Sequence, residues 1–313
     1  MNGTITTKEQ KQGKRFEIPV VQLAVSRRFG MYKDEKNKAV RAPQAAEDKT
    51  LRLLKEAWRK AGWIRVMRSA EAEYLACVSA IGNTQYTSED VGKFSMALAE
   101  FKDERDFSEK AGYFLSALVN NCAASEFVIV TSHLDRDIHD IGWDNTKDIK
   151  ICGDVGRNLG MGMKRGRIIV EGNAGPCAGS FMENGEIVIN GDCRLLLGQC
   201  MRGGKITVKG NAGDSAGEEM KSSSEIVING NCGRHLGRKA YGGKITVMGN
   251  AGDVVGEGMC YTEIRIEGEI GSVDYYPGDG KIYHKGKLIF PKEDPWAWVK
   301  KMFASGKGDG DAG

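Results

Sequence analysis

Gly204-Lys205-Ile206-Thr207-Val208-Lys209-Gly210-Asn211-Ala212-Gly213 is the stretch on which the fold turns. Ile206 and Val208 alternate with polar residues, the two-residue period of a strand. A Gly-x-x-Gly turn follows at once. The same text starts again at Gly153, Gly172, Gly191, Gly210, Gly230, Gly249 and Gly268, in steps of 19, 19, 19, 20, 19 and 19 residues. The second glycine recurs as Gly156, Gly175, Gly213, Gly233, Gly252 and Gly271, and the third copy has Arg194 instead. A further glycine follows at Gly160, Gly179, Gly198, Gly217, Gly237 and Gly256, and Met163, Met182, Met201, Met220 and Met259 lie three residues beyond it. The fifth copy lacks that methionine, which reads as a one-residue insertion around Tyr241. Each unit has one clear strand, so it cannot bury its own inner face. Stacking like units does bury it, and like strands then lie side by side in parallel. The expected fold is a right-handed parallel β-helix of about seven turns, mainly β, preceded by a small α-helical capping domain.

Stacking in register predicts ladders. One column reads Val155, Ala174, Cys193, Ala212, Cys232, Ala251, Ile270, small apolar residues suited to an inward corner. The column before it reads Asp154, Asn173, Asp192, Asn211, Asn231, Asn250, Glu269, side chains able to hydrogen-bond along a stack. Cys193 and Cys232 fall two rungs apart, about 9.5 Å, too far for a disulfide. No two of the eight cysteines form a Cys-x-x-Cys pair, which excludes zinc-ribbon and thioredoxin sites.

Four segments follow along the chain. Residues 1–43 form a basic arm with ten Lys/Arg against four Asp/Glu over residues 1–41. Residues 44–125 carry helical spacing over Ala45–Trp63 (start at Asp48), Glu89–Lys102 (opened by Thr87 or Ser88) and Phe107–Asn121 (opened by Asp106 or Ser108). Residues 126–290 hold a strand at Phe127–Thr131, the β-helix and a closing hairpin of Lys281–His284 and Lys287–Phe290. Residues 291–313 give a lid helix around Trp296, Trp298, Val299 and Phe303, then a Gly-rich tail. A β-helix has open ends that would pair with other chains, and the helical part is placed to cap the first.

Glycine makes up 42 of 313 residues, nearly twice the usual ~7%, as many repeated turns require. Net charge is only +3, too small to hold nucleic acid by its field. No apolar stretch approaches a membrane span. Ser26-Arg27-Arg28-Phe29 lacks the apolar run of an export signal. These features point to a cytoplasmic protein without nucleic-acid or membrane partners.

The Gly-x-x-Gly-x-x-x-Gly repeat resembles the glycine-repeat domain at the C-terminus of the glutamate synthase large subunit, and also the glycine-repeat accessory subunit of formylmethanofuran dehydrogenase. The likeness runs over Lys147–Gly271. It implies a β-helix in a redox-enzyme setting that spaces catalytic parts and carries no catalytic residues or cofactor of its own.

The densest group of titratable residues is His133-Leu-Asp135-Arg-Asp137-Ile-His139-Asp140. On a strand, His133, Asp135, Asp137 and His139 would share one face, able to ligate a divalent metal or exchange protons; a solvated strand edge gives the same alternation. His235 stands where other units have Asn158, Cys177, Leu196, Ser215 and Val254, a surface position. The strings Gly198–Lys205 and Gly237–Lys244 lead into strands where a phosphate loop needs a helix. The first expectation is a non-catalytic scaffold that offers its β-helix to a partner subunit or to copies of itself. The alternatives are an accessory subunit of an oxidoreductase complex and a metal-dependent enzyme using the His133–His139 group.

Overall fold

In the computed structural model, residues 48–61, 69–274 and 279–290 are described. The basic arm, Trp63 and the C-terminal lid and tail lie outside the described residues.

Among the described residues, four helices precede the strands: α1 (Lys49–Lys60), α2 (Ala70–Ile81), α3 (Ser88–Ala97, extended by a 3-10 turn Leu98–Phe101) and α4 (Phe107–Asn121). Asp48 caps α1 by accepting the Thr50 N–H at 3.0 Å. Thr87 and Asp90 form a reciprocal capping box on α3. Trp58, Phe94, Phe107 and Phe114 are fully buried between the helices. The Trp58 and Phe114 rings meet edge-on at 5.5 Å. Helical spacing did not reveal α2, whose buried residues are Glu73, Cys77 and Ile81. A carboxylate at a buried position breaks the apolar stripe by which such a helix is recognised.

Among the described residues, ten strands make one sheet in sequence order: β1 (Glu126–Val130), β2 (Asp148–Cys152), β3 (Arg167–Val170), β4 (Glu186–Ile189), β5 (Gly203–Val208), β6 (Lys221–Ile228), β7 (Tyr241–Val247), β8 (Glu263–Ile266), β9 (Lys281–His284) and β10 (Lys287–Phe290). The first nine pair in parallel, and β10 folds back antiparallel on β9. This is a parallel β-solenoid of about eight turns. Ile149, Ile168, Ile187, Ile206, Ile226, Ile245, Ile264 and Ile282 form its central inward column, each 2% exposed or less. Each such side chain contributes about 2 kcal/mol by leaving water. The predicted corner column is present as a continuous run of parallel bridges from Val155 through Ala174, Cys193, Ala212, Cys232 and Ala251 to Ile270.

The polar column works as a second ladder. The side-chain oxygens of Asp154, Asn173, Asp192, Asn211, Asn231 and Asn250 each accept the backbone N–H of the next rung at 2.7–2.9 Å. From the second repeat on, the first glycine makes room for it. A Cβ at Gly230 would stand 2.6 Å from Asn211 Oδ1 and 2.6 Å from the Gly210 carbonyl.

Two details differ from the sequence reading. The fifth methionine is replaced by buried Ala240, with no insertion at Tyr241. The extra residue lies earlier, as an irregularity in β6 between Ser222 and Glu225. There is also a coil before the first repeat. Asp140, Gly142 and Asp144 have positive φ (58°, 77°, 49°), as Asn158, Gly160 and Gly162 do eighteen residues on (61°, 63°, 68°). Asp140 N–H donates to the Arg157 carbonyl at 2.9 Å, and Asp144 N–H to that of Met161 at 3.0 Å.

The helices close the first end. Ser95 Oγ of α3 accepts the N–H of Val130 on the outer edge of β1 at 3.1 Å. Ser116 Oγ of α4, whose O–H is shared between the Gly112 and Asp140 carbonyls at 2.8 and 3.2 Å, accepts the N–H groups of Gly142 and Trp143. Side chains of the cap thus occupy backbone groups that a preceding coil would have taken.

Candidate interaction surface

Residues two apart on a strand face the same way, so the outward side of the sheet carries its own columns. Pairing puts Arg167, Glu186, Lys205, Glu225, Lys244, Glu263 and Lys281 side by side on successive rungs. The sign of charge reverses at every step. Within the chain, Arg167 pairs with Glu186 at 2.9 Å, Lys205 with Glu225 at 3.2 Å and Lys244 with Glu263 at 3.8 Å. Glu263 also accepts from Arg265 at 2.6 Å, and that hydrogen bond holds its carboxyl below the usual range.

The neighbouring column reads Ile169, Val188, Thr207, Val227 and Thr246 in register. Lys150 precedes it and Arg265 and Tyr283 follow it. Its members are β-branched, as favoured on a pleated surface. Val188 is only 8% exposed, and the other four are half-buried. Lys150 forms a 2.8 Å pair with Glu171, and the Arg265 guanidinium lies 4.5 Å from the Tyr283 ring centre. The face is thus an ordered strip of β-branched side chains with a charge column along one side, held in register by the strand pairing.

The His133–His139 segment is not strand. Thr131 N–H and Ser132 N–H both donate to the Cys152 carbonyl at 3.0 Å, and Leu134 N–H turns back onto Thr131. His133, Asp135 and Asp137 are exposed, while His139 is half-buried. Asp135 pairs with Lys102 at 2.9 Å, which lowers its pKa. His139 Nδ1 accepts the Arg157 N–H at 3.3 Å; burial, then the Arg157 charge, lowers its pKa. Among the described residues, no group of three or more His, Cys, Asp or Glu is placed to hold a metal ion. Asp140 is 2% exposed and accepts from Asn158 Nδ2 at 2.8 Å; burial raises its pKa.

His235 sits at φ 60°, with Nδ1 3.1 Å from Glu257, which also meets Arg238 at 3.3 Å. All eight cysteines are free. Burial pushes the Cys193 and Cys232 thiols up to about 12. Their Sγ atoms donate to the Gly175 and Gly213 carbonyls one coil below, at 3.6 and 3.7 Å. No described helix is long and apolar enough to cross a membrane.

The alternating charge column was present in the sequence as Arg167, Glu186, Lys205, Glu225, Lys244, Glu263 and Lys281, but the glycines and inward residues alone define the repeat. Aligning the residue before each repeat's first isoleucine would have found it.

The fold and this face define a capped parallel β-solenoid with an ordered lateral surface. No family model matches the chain, and no curated protein matches it. Among solved structures, a chain is similar in the X-ray crystal structure of the formyltransferase/hydrolase complex (FhcABCD) from Methylorubrum extorquens in complex with methylofuran. It is 29% identical, with 48% of this chain and 58% of that chain covered and a TM-score of 0.41.

Proposed function

We propose that this protein is a structural subunit whose β-solenoid offers its outward sheet face to a protein partner. The supporting observation is the strip from Ile169 to Thr246 beside the charge column. An apolar strip with a charged border matches the core-and-rim pattern of protein interfaces. The ladders beneath hold it rigid, so a partner loses little ordering entropy in docking. Solenoids present extended surfaces of this sort. The test is capture from the native host with purified wild-type protein and with Val227→Lys, which puts a charge into the strip while leaving the inward column intact. The expected result is one partner, stoichiometric with the wild type and lost with the variant. Equal recovery with both would contradict it.

The repeat's resemblance to glutamate synthase and formylmethanofuran dehydrogenase gives a narrower second reading, in which the partner is a catalytic subunit of an oxidoreductase. Co-purification of a flavin- or pterin-containing subunit with the wild type would support it. A partner without a redox cofactor would count against it.

A further inference from the structure

We infer that the outward sheet face docks on the same face of a second copy of this chain, with the two solenoids antiparallel and the two-fold axis lying between rungs. This rests on the proposal that the face binds protein, and it names the partner.

The charge column carries the inference. A strip whose sign alternates at each rung has few ways to meet its own copy. A two-fold along the stacking direction sets each rung against itself, Lys205 on Lys205 and Glu225 on Glu225 where the axis runs through the charge column; moved toward the neighbouring column, it lays the charges on β-branched side chains and leaves them without partners across the contact. A two-fold along the strand direction, passing through a rung, also opposes like charges throughout, because partners are then an even number of rungs apart. A two-fold along the strand direction but between rungs opposes rungs an odd number apart, and every facing pair is then of opposite sign. With the axis between β5 and β6, Lys205 faces Glu225 of the second copy, Glu186 faces Lys244, and Arg167 faces Glu263. The register that fixes these neighbours is continuous from β3 to β9.

The apolar column agrees with this arrangement. It runs beside the charges on the same face, so the same operation lays Thr207 on Val227 and Val188 on Thr246 at the centre, with Ile169 against Arg265 at the ends. Two-fold interfaces are self-complementary in this way, residue i meeting j as j meets i. Like charges opposed across a contact are strongly disfavoured, so the alternation rejects the wrong registers as well as favouring one. In-chain pairing accounts for three contacts, Arg167–Glu186, Lys205–Glu225 and Lys244–Glu263. It does not require the sign to keep alternating from Glu186 to Lys205 or from Glu225 to Lys244, where no ion pair within 4.0 Å joins the described side chains.

The experiment uses the full chain and measures its mass in solution by light scattering and sedimentation. The wild type is expected to be a dimer that weakens as salt rises. Lys205→Glu and Glu225→Lys should each dissociate it, because each places two like-charge pairs across the axis. An equimolar mixture of these two variants should recover the dimer. One chain then carries glutamate at both positions 205 and 225 and the other carries lysine at both, so each facing pair is again of opposite sign. Thermal melts of the single variants check that each is folded. Val227→Lys is a further variant that needs no ion pair and should also be monomeric. A monomeric wild type would overturn the inference, while capture by wild type but not Val227→Lys would still support docking of a different protein. A dimer indifferent to both charge variants, or variants that stay apart when mixed, would also overturn it.

Discussion

Asn211 Oδ1 accepts the backbone N–H of Asn231, one coil further on, at 2.9 Å. The side chain of one rung therefore holds the main chain of the next, and the same bond recurs from Asp154 to Glu269. Asn211→Ala removes the acceptor and leaves that N–H to water, at a cost of about 1 kcal/mol. Asn231→Asp keeps the acceptor of the next rung bond and stands between Asn211 and Asn250 rather than beside a carboxylate, so it is expected to stay within about 0.5 kcal/mol of the wild type. Urea unfolding monitored by circular dichroism measures both. Equal losses for the two variants would show that the ladder bond contributes nothing.

Gly230 is tied to that bond by space. A methyl group there meets Asn211 Oδ1 and the Gly210 carbonyl, so Gly230→Ala should cost about 2–3 kcal/mol. Combining it with Asn211→Ala clears one of the two collisions. The double variant is thus expected to lose less than the sum of the single losses, by about 1 kcal/mol. Strict additivity in the denaturation series would refute the shared-space explanation.

Val254 lies at φ 64°, a left-handed conformation that disfavours a β-branched side chain. Its column also holds Asn158 at 61°. Val254→Asn retains the backbone donor that reaches Ser272 Oγ at 2.9 Å and relieves the backbone. A gain of about 1 kcal/mol follows, read as a rise in melting temperature of about 2–4 °C. A fall would mean that the half-buried valine side chain packs more favourably than its backbone is strained.

Asp140 gives a pH dependence with a definite sign. Burial raises its folded pKa above the unfolded value. Its protonated form is therefore favoured by folding, and the ionised form costs stability once pH rises through the folded pKa. Asp140→Asn removes that cost and suits the left-handed backbone at φ 58°. It should raise the melting temperature at pH 7, and the advantage should shrink as the medium is acidified through the ordinary carboxylate range. An advantage that is constant with pH would assign the effect to the backbone alone.

Much of this architecture can be read from the chain because the repeat fixes register. Ala174, Cys193 and Ala212 are placeable in one column from spacing alone, since each follows its first glycine by two residues. The coil at Asp140 escapes because its spacing to the next is eighteen residues and Asp140 and Asp144 stand where later coils have Asn158 and Gly162. The outward face is harder still. A glycine must be glycine wherever a Cβ would strike backbone, but Lys205 and Glu225 gain meaning only as neighbours, which requires the pairing of β5 with β6. The His133–Asp137 group depends on where β1 stops, and two N–H groups converging on the Cys152 carbonyl decide that.

Lysine footprinting tests most directly the claim that the outward sheet face is where another protein docks. Lys205 and Lys244 are expected to be acetylated more slowly in the wild-type assembly than in Val227→Lys, while Lys60 on α1 reacts at the same rate in both. Equal rates at Lys205 and Lys244 in the two proteins would contradict it.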